Sequence, residues 1–82
     1  MNHTTIDAAS RLAAACKREA EHQMKPVLKI LAARLELHLA EINARMVCGE
    51  QGQKIQDELE SVRLAVWDVA QKLHDGEDRD AE

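Results

Sequence analysis

The sequence predicts an all-α protein: an antiparallel helical hairpin with an additional N-terminal helix, three helices in one domain. Three observations lead there. Residues 27–48, VLKILAARLELHLAEINARMVC, contain no Gly or Pro and repeat apolar residues at steps of three and four. A second periodic run, Ile55, Leu59, Val62, Val66, Val69 and Leu73, steps four, three, four, three, four, a coiled-coil seam. Between them lies Gly49-Glu50-Gln51-Gly52, two glycines at the spacing of a tight helical hairpin. The 82 residues include no Phe, no Tyr and one Trp, so the apolar content is aliphatic. That composition suits a narrow helical bundle.

The first helix is expected from about residue 5 to 23. Thr4 is placed to cap its free N–H groups, with Asp7 as the acid three positions on, and Met1–His3 are expected to fray. Its stripe is Ala9, Leu12, Ala13, Cys16 and Ala20, with Met24 near the end. Small side chains bury little area each, at about 25 cal/mol per Å2, so this helix is expected to be the weakest held. Pro26 then removes a helical hydrogen bond and pushes Lys25 out of the α region. A turn or a kink both satisfy Pro26, and a turn is the favoured reading because Pro suits the first position of a new helix.

The second helix is expected over about 26–48 and is apolar on two faces. One stripe is Leu28, Leu31, Leu35, Leu39, Ile42 and Met46; the other is Ile30, Ala33, Leu37, Ala40 and Ala44. A helix with two apolar stripes needs two neighbours. The third helix is expected over about 53–74. Asp57, Glu58 and Glu60 near its start and Lys72 and His74 near its end suit the helix dipole. Asp75-Gly76 is expected to stop it, leaving 75–82 as a solvated acidic tail.

In antiparallel order the first stripe of helix two faces the seam of helix three, with Met46 beside Ile55 and Leu28/Leu31 beside Val69/Leu73. This leaves the second stripe uncovered, along with Leu64 and Trp67 on the far side of helix three. The first helix can cover one of these surfaces; the other becomes an exposed patch, and such patches mark interfaces. Ile30, Leu37, Ala44, Leu64 and Trp67 are therefore the expected partner-binding residues. For Trp67 the competing reading is packing under the first helix.

The rest of the chain narrows the function classes. Residues 49–82 carry four positive and ten negative side chains, an acidic third unsuited to nucleic acid. Neither a secretory leader nor a run long enough to insert in a membrane is visible. Cys16 and Cys48 fall about 15 and about 33 Å from a turn at Pro26, at about 1.5 Å per residue. That is too far apart for a disulfide, so both are read as reduced thiols filling small gaps in a cytoplasmic protein. His3, His22, His38 and His74 form no zinc-ligand spacing and read as surface residues, His38 partly covered. The carboxylates follow helix-surface spacing, and GEQG lacks the Lys-Ser/Thr of a phosphate loop. Neither enzyme activity nor a cofactor or metal is expected.

Leu35-Glu36, Leu39, Ile42, then Met46 and Gly49 closing helix two, then Glu60 and an apolar stretch centred on Ala65, resemble the small co-chaperones of the type III secretion needle subunit (the YscE/PscE kind). The likeness spans about residues 34–74, in a helix–Met-x-x-Gly–helix layout without a gap. The first helix is longer than in that family, and Glu50 stands where a small or turn residue is expected. The resemblance implies a cytoplasmic, non-catalytic helical hairpin. Such a protein binds a tetratricopeptide-like chaperone, and the pair holds the needle subunit unpolymerised. The rival reading from the residues is a homodimer, two hairpins joined through their second stripes as a four-helix structural or regulatory bundle.

Overall fold

The computed structural model describes the backbone of residues 2–81 and the side chains of residues 5–75. The chain forms three α-helices, α1 (Asn2–His22), α2 (Pro26–Val47) and α3 (Gln53–Ala81), and no strand among the described residues. They make a rod of 48 × 17 × 16 Å. Each helix contacts both others, with α1 and α2 in the most extensive close approach. The all-α, three-helix architecture is the one the sequence predicts.

Pro26 makes a turn, not a kink. It sits at the start of α2, where its missing N–H is no loss. The turn itself is a helix-ending motif. Lys25 N donates to Ala20 O at 2.8 Å and Met24 N to Glu21 O at 3.1 Å, with Met24 left-handed at φ 58°. The second turn repeats the pattern. Glu50 N donates to Arg45 O at 2.9 Å and Gly49 N to Met46 O at 3.0 Å, with Gly49 at φ 105°. Glycine supplies that conformation without a Cβ clash; Met24 does not have that freedom.

The core runs along the axis of the rod. Near the α2–α3 turn, Leu39 and Ile42 meet Ile55, Leu59 and Val62, with Met46 beside them. At the other end Ala32 meets Val69 and Leu73, with Leu28 alongside. This is the antiparallel register predicted for the hairpin. Ala32 replaces Leu31 in the buried stripe; Leu31 is exposed, because the facing groove is shared with α1 and selects the smaller side chain.

The first helix departs from expectation in three ways. It begins at Asn2, so the backbone of residues 2–4 is helical, while the Thr4 side chain lies outside the described residues. It fully covers neither leftover surface. Instead Ile6, Ala9, Ala13, Cys16 and Ala20 are all buried in the same core as the hairpin seam. It is also held by ion pairs to α2, Lys17 Nζ–Glu36 Oε1 at 2.8 Å and Lys29 Nζ–Glu21 Oε2 at 2.9 Å. Small side chains cost area but permit close approach, and here the closeness decides. Met24, placed on the stripe by sequence, is 85% exposed because the turn has already rotated it away.

The third helix continues through Gly76 to Ala81, past the expected stop. A Gly costs a helix about 1 kcal/mol, too little to end it where Glu77, Arg79 and Ala81 follow. The side chains of the predicted acidic tail beyond Asp75 lie outside the described residues.

Candidate binding surfaces

All five residues read from sequence as partner-binding lie at the surface. Ile30 and Leu37 are 58% and 68% exposed, Leu64 and Trp67 are 56% and 53% exposed, and Ala44 is exposed with them. They do not form one patch. Ile30, Leu37 and Ala44 run along the outer face of α2, turned away from the core residues Leu39 and Ile42. Leu64 stands on α3 half a turn away from its buried Val62 and Val66, and Trp67 stands little more than a quarter turn from Val66.

Trp67 neither packs fully under α1 nor stands clear of it. It lines a groove of about 400 Å3 between α1 and α3, with Thr5, Ala8, Leu12, Arg63 and Val66. The groove exists because α1 presents Ala8 and Ala9 there, which leave room beside the indole. Its polar rim is Arg63, tied to Glu60 one turn earlier. That contact holds the Glu60 carboxyl below the usual range and the guanidinium above its own.

The outer face of α2 reaches further than the sequence reading placed it. Val47, 67% exposed, extends the spacing 30, 33, 37, 40, 44 by one more step of three. That periodicity was the available signal, and it runs to the last residue of α2, two before Gly49. Cys48 is exposed at the same end and Cys16 is buried, both as free thiols. Cys48 therefore fills no gap, whereas burial raises the Cys16 thiol above its ordinary value.

The polar network beside the core is a fastening. Arg45 donates to Glu58 through Nη1 and Nη2 at 3.1 and 2.9 Å, and through Nε to Glu50 at 3.0 Å. His38 Nε2 approaches Glu58 at 3.6 Å. Hydrogen bonding to Arg45 pulls both carboxyls below their ordinary values, with His38 adding to the effect on Glu58, and drives the guanidinium far upward. Carboxylates held ionised by a bidentate guanidinium are poor proton donors at neutral pH. Among the described residues no group of three or more His, Cys, Asp or Glu is placed to hold a metal ion. No helix among them is long and apolar enough to cross a membrane.

No family model, curated protein or solved structure matches the chain.

Proposed function

We propose that the chain is a non-catalytic helical binding protein that docks a helical-repeat partner through Leu64 and Trp67. In the reading its sequence resemblance suggests, it is a cytoplasmic co-chaperone. With a tetratricopeptide-like chaperone it holds a type III secretion needle subunit unpolymerised. The observation that carries the binding role is the half-exposed Trp67 beside Leu64 and an apolar groove. Tryptophan is the residue most enriched at the centres of protein interfaces, where its large flat surface is desolvated against a partner. A groove floored by Ala8, Ala9 and Leu12 offers the partner's side chains somewhere to seat. Concave helical-repeat surfaces accept a convex helical rod, and a rod 16–17 Å across presents such a surface. The clamped carboxylates of the Arg45 cluster support the non-catalytic part.

The single tryptophan is its own reporter. Titrating the protein with a purified tetratricopeptide-type needle chaperone is expected to shift Trp67 emission to the blue as the indole leaves water. Trp67→Ala is expected to weaken the complex by about 2 kcal/mol or more, the scale of an interface anchor. An unchanged emission spectrum together with no co-migration in gel filtration would remove the secretion reading. A complex that forms equally well with Trp67→Ala would move the docking surface elsewhere.

A further inference from the structure

The geometry points to a second use of the molecule that does not rest on the reading above: the outer face of α2 pairs with the same face of a second copy, antiparallel, about a two-fold axis near residues 38 and 39. Ile30, Ala33, Leu37, Ala40, Ala44 and Val47 step three, four, three, four, three, the a and d positions of a coiled coil. Among the described residues nothing buries this seam: Ile30, Leu37 and Val47 are each more than half exposed, Ala40 and Ala44 are exposed, and Ala33 is half-buried. In antiparallel register the layers become Leu37 on the partner's Ala40, Ala33 on the partner's Ala44, and Ile30 on the partner's Val47. The large central residue falls on a small one and the next layer is alanine on alanine. The two helices can then approach to about 8 Å.

The charges select a second copy and its direction. Along one flank of the seam, Lys29 and Glu36 already pair with Glu21 and Lys17 of α1. Along the other flank lie Arg34 and Glu41, both exposed, whose side chains make no ion pair or hydrogen bond among the described residues. Antiparallel pairing brings Arg34 beside the partner's Glu41 and Glu41 beside the partner's Arg34. The axial offset is two residues, about 3 Å, which long side chains span. Parallel pairing would set Lys29 against the partner's Arg34 and Glu36 against the partner's Glu41, like against like. Flanking charges of this kind decide the orientation of helix pairs. The seam thus carries a reciprocal code that one copy leaves unread and two copies complete.

Sedimentation equilibrium of the full chain across a dilution series tests this. A dimer that dissociates on dilution is expected. Arg34→Glu should weaken it by about tenfold or more at low salt, and Arg34→Glu with Glu41→Arg should restore it. Both positions are exposed, so helical circular dichroism should be unchanged. Direction is read separately, in a Cys48→Ser background with oxidised glutathione as oxidant. A mixture of Ile30→Cys and Val47→Cys proteins should cross-link to each other, and neither to itself, because each lies about 25 Å along the axis from its own copy. A monomer at millimolar concentration, a dimer indifferent to Arg34→Glu, self-cross-linking of either single variant, or a dimer lost on Trp67→Ala would each overturn the proposal.

Discussion

Two residues at equivalent positions in the two turns show how much a single side chain decides. Gly49 and Met24 both occupy the left-handed position after a helix, with the same pair of backbone hydrogen bonds. A non-glycine residue there costs about 1–2 kcal/mol. Met24 is 85% exposed, so its side chain returns little of that through packing. Met24→Gly is therefore expected to stabilise the protein by about 1 kcal/mol, less whatever freedom glycine adds to the unfolded chain. Urea denaturation monitored by helical circular dichroism measures it; a loss of stability would mean Met24 makes contacts that its exposure hides. Leu39 tests the opposite case. It is fully buried between all three helices, and Leu39→Ala should cost about 2–5 kcal/mol through lost transfer energy and the cavity left behind.

At the scale of the element, the three helices are held by different means. The α2 and α3 stripes bring large aliphatic residues to the core. The buried stripe of α1 is mostly Ala and Cys, and its place depends on close approach. Ala13, fully buried at the centre of that stripe, sets the distance to its neighbours. Ala13→Leu is expected to cost about 1–3 kcal/mol by forcing α1 outward, despite the added apolar area. If added area counted for more than closeness, the same variant would be more stable, and the urea midpoint separates the two. The Arg45 cluster acts on the α2–α3 hairpin at the end opposite the α1–α2 turn. It joins the last turn of α2 to the loop and to α3, so the hairpin is fastened beside its turn.

For the whole molecule, that fastening sets a pH dependence. Glu21, Glu50, Glu58 and Glu60 all have carboxyls held below their ordinary range, each chiefly by a hydrogen bond to a cation: Lys29 for Glu21, Arg45 for Glu50 and Glu58, Arg63 for Glu60. A depressed folded pKa means the unfolded chain binds protons first as pH falls. The stabilisation is complete above the unfolded carboxyl value of about 4.3 and is lost as pH drops through the lower folded values. Thermal midpoints should hold steady from neutral pH to about 5 and fall below about 4, in the carboxylate range. The fall should be shallower in Arg45→Met, which releases two of the four carboxyls. All four sites are solvent-facing, so added salt should blunt the effect. A midpoint flat down to strong acid would show that these pairs do not contribute. The rod also carries unlike surfaces: a groove with Trp67 between α1 and α3, and a heptad seam along α2.

The sequence by itself determined the three helices, the Gly49–Gly52 turn and the register of the hairpin, and it favoured a turn at Pro26 over a kink. Those follow from local rules: apolar period, the position of Pro26, and the glycines at 49 and 52. It also marked Ile30, Leu37, Ala44, Leu64 and Trp67 as surplus to a two-helix core, and all five are at the surface. The tertiary structure alone decided where α1 goes. Its Ala stripe matched either leftover surface about as well as it matched the core groove, and periodicity carries no information about which groove is deep enough. The fully buried Ala13, Ala20 and Ala32 show that the shared groove accepts small side chains. That one choice set the rest. It left the α2 seam bare and opened the groove beside Trp67. It also drew Lys29 and Glu36 into pairs with α1, leaving Arg34 and Glu41 as the charges still to be matched.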